Sequence, residues 1–443
     1  MTALALLVAL AATPAVEFTV TADLEKSVLQ IELDLRDWKG ECLCLDKDVA
    51  DALSGLGPHP KREDCFLAPE KRPVKYQVSL SKLRRRYDDP DFAAHLGPAW
   101  MFHDATFLLR PDEFEGDYRV RFVLPSGATV ATPWPQEKDG TFVVSEDQFD
   151  VGSYVALGKL RTLGVLELEG FSARVTLVDE PRAATDAQLL AWVKGALTAH
   201  GKFYRGSPTH GARPIHVVLA GVKSSDAGVF GSVLRRGEPS VMLLFGNEAT
   251  SGFESDWVAF HELFHLGNPP TRGRFPWITE GLTTYYTELL RARAGVLPPE
   301  QVWGTLADSF RDYCSPNGTS LADHSRELSR TWQYQRVYWG GACLWFQVDV
   351  EVRKKSKGAR SLDDVVRELR EGDALDEDGL VAALDKAAGS PIATVALKRE
   401  KKFDVEPLLK SLGVGVVKND RAALDDSAPL AALRKAMTAP EAK

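Results

Sequence analysis

Long apolar runs are scarce in this chain. The run Ala3–Ala12, within MTALALLVALAATPA, is too short to span a bilayer, and no later stretch is long enough for a transmembrane helix. It has the length of a signal-peptide core, with Ala12, Thr13 and Ala15 as small residues for cleavage, although the usual preceding positive charges are missing. Residues 1–15 are therefore expected to be a signal peptide and the protein to be exported, periplasmic or secreted. An excess of positive charge is lacking too: 54 Lys and Arg face 62 Asp and Glu, for a net charge of −8 with no basic stripe. That excludes nucleic acid as an expected partner. The cluster Lys82–Arg86 is followed at once by acids and reads as a solvated face. Cysteine is sparse, at five residues, and the Cys42-Leu-Cys44 spacing fits neither a zinc knuckle nor a redox C-x-x-C pair. None reads as a metal ligand. In an exported protein Cys65 is placed to bridge to Cys42 or Cys44, and the odd count leaves at least one free thiol. Cys343, inside an apolar helical segment, reads as a small core residue.

What is present has globular proportions: 443 residues, 44% apolar and 26% charged, enough for two or three domains. Residues 16–180 read as repeated short strands, among them VEFTVTADL, SVLQIELDL, VKYQVSL, DYRVRFVLP and ARVTLVDE, separated by turn signals such as Asp139-Gly140. This predicts an N-terminal antiparallel β-sandwich, with no cluster of chemically active residues. From Thr185 the period changes to 3.6, predicting an amphipathic helix carrying Leu189, Trp192, Val193 and Ala196. Strands follow at 214–222 and 240–246, joined by a Gly/Ser-rich loop. From Pro298 onward the chain reads as nearly all helical, over 299–311, 334–353, 361–370, 376–387 and 405–412. Residues 181–415 are expected to form the second domain. Residues 416–443 are expected to be a tail with one weak helix near Pro429–Met437.

The chemistry concentrates in Asp256–Tyr286, DWVAFHELFHLGNPPTRGRFPWITEGLTTYY. His261 and His265 are i and i+4, so on a helix both imidazoles leave one face and can hold a single ion. Glu262, beside the first histidine, can reach a water on that ion. Trp257, Val258, Ala259, Phe260, Leu263 and Phe264 are apolar, which predicts a buried helix rather than a solvated face carrying two histidines paired with acids. A catalytic zinc site needs a third protein ligand and an open fourth position. Glu280 is the candidate: it follows Pro276, a helix-start signal, and opens the apolar-periodic run Ile278, Leu282, Tyr285, Tyr286, Leu289.

HELFH, WITEGLTTYY and the later YWGGACLWFQVDVEVRKKSKGARSLDDVVREL resemble the glycyl-aminopeptidase family of zinc metallopeptidases, within the thermolysin-like gluzincin group. YRVRFVLP, SGATVATPWPQ and FDVGSYV are similar to that family's N-terminal β-domain. The resemblance covers most of residues 100–415. It implies an α+β fold, with the β-sandwich followed by a thermolysin-like mixed α/β catalytic domain whose C-terminal part is mostly helical. It also implies His261, His265 and Glu280 as zinc ligands, Glu262 as general base and acid, and Tyr338 as the phenol that stabilises the oxyanion. Tyr334, one turn earlier on the same face, is the alternative. Two features depart from the family. Only fourteen residues separate His265 from Glu280, where related gluzincins carry a longer insert. The family's Gly-Gly-x-Glu-His-like segment, whose acid anchors a substrate amine, corresponds here to Gly231–Ser240, with Glu238 as its only acid beside Arg235 and Arg236. The expected activity is hydrolysis of peptide bonds in peptide or protein substrates. The competing readings are a zinc endopeptidase and a catalytically silent exported binding or scaffold protein that keeps the site.

Overall fold

The computed structural model describes residues 16–36, 38–45, 47–56, 60–62, 65–70, 72–87, 93–145, 153–209, 214–234 and 239–440. The expected signal peptide lies outside these residues. Near the N-terminus a six-stranded sheet runs in the order Phe142–Val144, Tyr118–Val123, Val16–Asp23, Val28–Asp34, Val74–Ser79, Leu53–Ser54. The first strand shows why: VEFTVTAD alternates strictly between buried and half-buried positions. Its pairing with Tyr118–Val123 is parallel, while the other pairs of this sheet are antiparallel.

A four-stranded sheet made of Thr129–Ala131, Tyr154–Gly158, Ala99–His103 and Ala93–Leu96 lies against it. The period of two divides this sheet between two cores. Trp100, Phe102, Val155 and Leu157 join Phe18, Val20, Ile31 and Tyr76 in the sandwich core. Met101, Tyr154 and Ala156 point the other way and pack on Val218, Ala220, Met242 and Leu244 of a third sheet.

That third sheet carries the functional site. Its five strands run in the order Leu160–Leu168, Phe171–Val178, Ile215–Val222, Ser240–Gly246, Gly228–Leu234. Phe171–Val178, Ile215–Val222 and Ser240–Gly246 pair in parallel. Ile215–Val222 and Ser240–Gly246 are covered on both faces and are almost wholly buried, as central parallel strands require. Two of the strands come from before residue 180, the stretch read above as part of the sandwich. Alternation within a strand does not reveal which sheet the strand joins. A second correction concerns Gly228–Leu234, read above as part of a Gly/Ser-rich loop. Gly228, Gly231 and Ser232 weaken the strand signal, and a bulge between Gly228 and Phe230 breaks the alternation.

The face opposite the sandwich, with Val217, Leu219, Leu243 and Phe245, is packed by Trp192, Val193, Phe260, Leu263 and Phe264 from the helices Asp186–Tyr204 and Val258–His265. The C-terminal part is helical, over Pro299–Tyr313, Tyr334–Lys355, Leu362–Glu371, Glu377–Ala388 and Glu406–Ser411 among others. The stretch after residue 415 is not a loose tail. Gly413, at φ +75°, turns the chain into a hairpin of Val414–Lys418 and Arg421–Leu424, and Ala431–Thr438 forms a helix. Arg434 of that helix is buried and donates to the carbonyls of Leu412, Gly413 and Asp425. Cys44 is bonded to Cys65 and Cys42 is the buried free thiol. Cys343 is not merely a core residue: it is bonded to Cys314, a pairing that depends on a helix end approaching from 29 positions away. No helix among the described residues is long and apolar enough to cross a membrane.

Candidate metal centre

The site is assembled where three helices and an edge strand converge. Val258–His265 buries Val258, Ala259, Phe260, Leu263 and Phe264 against the sheet and its neighbours, which leaves His261, Glu262 and His265 on the other side. Two contacts fix its start. Asp256 accepts from the Val258 N–H at 2.9 Å and from the Gly228 N–H at 3.2 Å, tying the helix to the edge strand. Burial pushes the Asp256 carboxyl above its ordinary range, against these backbone bonds. The back of the helix is held by His200 and Tyr204, which reach the carbonyls of Phe260 and Phe264.

The helix Pro276–Arg293 begins with proline in its first turn and a fully buried Trp277. Trp277 is locked by its indole donating to Glu377 at 2.7 Å and by its carbonyl accepting from Trp345. At the far end Asp363, in the Ser361-Leu-Asp-Asp364 segment, accepts from Tyr286 and Arg293. Glu280 therefore projects from a helix anchored at both ends.

The three sequence-predicted ligands come together. His261 Nε2 lies 3.3 Å and His265 Nε2 3.4 Å from the same Glu280 oxygen, Oε2. The three donor atoms all lie within 4.8 Å of one another. Zinc bonds of 2.0–2.1 Å at tetrahedral angles put neighbouring ligand atoms about 3.3 Å apart, so both separations from Glu280 fit the ion. The outer nitrogens are oriented for the same purpose. Thr287 donates its hydroxyl to the Thr283 carbonyl, leaving Oγ1 to accept from His261 Nδ1 at 3.3 Å. Thr283 donates to the Thr279 carbonyl and stands 3.2 Å from His265 Nδ1 in the same way. Asn268 donates its side-chain N–H to the Thr279 carbonyl and to the Thr283 hydroxyl, bracing the threonine beside His265. With the protons on Nδ1, both Nε2 lone pairs face Glu280 and a metal. Burial alone raises the Glu280 carboxyl, but His265 and His261 outweigh it and hold it well below the ordinary range.

Glu262 sits against the edge strand, and Gly231 makes the room: a methyl group there would stand 2.3 Å from Glu262 Cγ. Tyr338 comes from Tyr334–Lys355 and lies parallel to the His261 ring, with centroids 6.2 Å apart and planes at 11°. Burial, then the nearby Glu280 and Glu262 carboxylates, push the Tyr338 phenol far above its ordinary range, so it stays protonated and able to donate. Its helix approaches closely because glycine meets glycine: a methyl group on Gly281 would stand 2.6 Å from the Gly341 Cα. Tyr334 is one turn further out, 6.1 Å from Tyr338 and 40% exposed.

His261, Glu262, His265, Glu280, Gly231, Tyr334 and Tyr338 line a cleft of about 1090 Å³, which Thr284, Thr287, Glu288 and Arg291 of Pro276–Arg293 also line. Glu288 is ion-paired with Arg291 at 2.9 Å. Glu238, the only acid of the segment that corresponds to the amine-anchoring motif, and its neighbours Arg235 and Arg236 lie outside the described residues. The sequence reading missed Asn268, Thr283 and Thr287; it named Gly231 only as the start of the amine-anchoring segment, and Trp257 as an apolar residue of a buried helix, whereas Trp257 precedes the helix and is 50% exposed. Thr283 and Thr287 had a signal, because they stand at i+3 and i+7 from Glu280 and share its helical face.

Residues 268–341 match the M61 glycyl aminopeptidase family, a stretch that holds Glu280 and Tyr338 and begins just after the HELFH segment. No curated protein matches the chain. Among solved structures, the fold is similar to an aminopeptidase N family protein from Idiomarina loihiensis, with a TM-score of 0.74 at 18% identity over 91% of this chain and 79% of that one. It is also similar to the M1 zinc metallopeptidase from Deinococcus radiodurans, with a TM-score of 0.51 at 13% identity over 88% of this chain and 94% of that one.

Proposed function

We propose that this chain, an aminopeptidase-like zinc metallopeptidase resembling the glycyl-aminopeptidase family, cleaves peptide bonds with His261, His265 and Glu280 as its zinc ligands, Glu262 as general base and acid, and Tyr338 as oxyanion donor. The observation that carries the reading is the convergence of three donor atoms within 4.8 Å of one another, with Glu262 and Tyr338 lining the same cleft. When bound, zinc supplies Lewis acidity, polarising the scissile carbonyl and acidifying the attacking water. Glu262 accepts the proton of that water and delivers it to the departing amine. Tyr338 donates a hydrogen bond to the oxygen that gains negative charge. Thr283 and Thr287 keep the imidazoles in register, and Asn268 braces Thr283. The strand Gly228–Leu234, outermost in its sheet, holds an extended substrate by strand addition, and Gly231 sets the scissile bond beside Glu262.

A second reading, cleavage within chains rather than at a free N-terminus, is favoured by one observation. Among the described residues the carboxylates lining the cleft are Glu262, Glu280 and Glu288, of which two serve the chemistry and the third is ion-paired with Arg291. A matched pair of peptides, free and N-acetylated, decides between the two, with and without a chelator. Loss of cleavage on acetylation supports the aminopeptidase, equal cleavage supports the endopeptidase, and chelator-insensitive cleavage overturns the zinc reading. Export is part of the proposal: the apolar run Ala3–Ala12 and the pairs Cys44–Cys65 and Cys314–Cys343 suit an oxidising compartment, periplasmic or extracellular.

A further inference from the structure

Exposed large apolar side chains are few on this protein, and they are not spread evenly. Among the described residues there are ten: Leu67, Val123, Val165, Val229, Phe230, Trp257, Trp332, Tyr334, Val395 and Val416. Val229, Phe230, Trp257 and Tyr334 line the cleft, and Trp332 packs on Tyr334 with ring centroids 5.9 Å apart. Solvated surfaces avoid such clustering unless it is used.

The edge strand shows how the cluster is built. Gly228 pairs with Phe245 and Phe230 with the next residue, Leu244, so Val229 is an extra residue in a bulge. In a regular strand Val229 and Phe230 would point to opposite faces. The bulge turns both toward solvent, at 39% and 37% exposure, on the cleft side. The strand runs alongside the HELFH helix: Gly228 is tied to Asp256 and Gly231 lies against Glu262. Val229 and Phe230 are thereby placed at the level of Trp257. That indole is 50% exposed and stands edge-on to His261, with ring centroids 5.6 Å apart and planes at 79°. An apolar shelf therefore adjoins His261 in the cleft wall.

We propose that Val229, Phe230 and Trp257 form a specificity pocket that selects a large aliphatic or aromatic side chain on the substrate residue beside the cleaved bond. This rests on the peptidase reading above and narrows it: the preferred substrates are extended peptides rich in Phe, Tyr, Trp, Leu, Ile or Met, not glycyl peptides. An extended strand paired to Gly228–Leu234 presents one such side chain to the shelf while its backbone is held at Gly231. Burying that side chain favours it over alanine by about 10–100-fold in kcat/KM.

The test is cleavage profiling of a mixed peptide library by the zinc-loaded full-length protein, followed by kcat/KM for matched peptides bearing Phe or Ala at the selected position. The expected result is enrichment of bulky apolar residues on one side of the cleaved bond and a Phe-to-Ala ratio of at least about tenfold. Phe230→Ser and Trp257→Ala should each reduce that ratio to a few-fold. The ratio is internal to each variant, so a lower yield of folded protein does not disturb it. A preference for glycine or for a charged residue, or a ratio unchanged in both variants, overturns the pocket while leaving the peptidase intact. Failure to cleave any library member overturns the peptidase reading and the pocket with it.

Discussion

Thr287 and His261 are joined by a 3.3 Å contact between the threonine hydroxyl oxygen and the imidazole Nδ1, and the same hydroxyl donates to the Thr283 carbonyl at 2.7 Å. The helix carrying Glu280 thereby orients a histidine on another helix. The role is one a carboxylate often fills, and here it falls to a neutral hydroxyl. Thr287→Val, nearly isosteric, should weaken zinc binding by about 10–100-fold. Competition against a chromogenic chelator measures it. Wild-type affinity would remove Thr287 from the site.

Tyr338 is placed by the Gly281–Gly341 contact and remains protonated between two carboxylates. Tyr338→Phe should lower kcat by about 10²–10³ with little change in KM, the range for loss of one oxyanion donor. Tyr334→Phe should cost only a few-fold. Steady-state kinetics on one peptide separates them, and the reverse ranking would move the role to Tyr334.

Two buried histidines make the fold sensitive to acid. Burial lowers the pKa of His200 to about 4, against the carbonyls of Ala196 and Phe260. Burial, then Arg174, lowers His216 to about 4 as well. Because the folded values lie below the ordinary 6.5, the stability they contribute is complete above that pH and is lost as pH falls from 6.5 toward 4. Each withdraws up to about 3 kcal/mol across that window, on the order of 1.4 kcal/mol per pH unit. Thermal melts from pH 7.5 to 4 should show a steep fall in Tm, shallower in His200→Gln. A flat profile over this range would contradict the assignment.

Much of the site was legible because it obeys short-range rules. His261 and His265 share a face through helical spacing, and Pro276 announces the helix that presents Glu280. The long helices of the C-terminal part were equally plain from their period. What stayed hidden depends on partners distant in sequence. The strand Gly228–Leu234 carries a bulge and two glycines, one set against Asp256 and the other against Glu262, and those features erase strand alternation. Cys314 and Cys343 meet only after two helices pack. The hairpin after Gly413 buries Ala422 and Val414 against the helix Pro299–Tyr313, a partner more than a hundred positions upstream.

The central claim is that Glu262 moves the proton while His261, His265 and Glu280 hold the metal. Its most direct test is one measurement on one variant: zinc content and turnover of Glu262→Gln beside the wild type. The account predicts close to one zinc per chain in both proteins and a loss of turnover by about 10²–10⁴-fold in the variant. Zinc retained with turnover undiminished would contradict it.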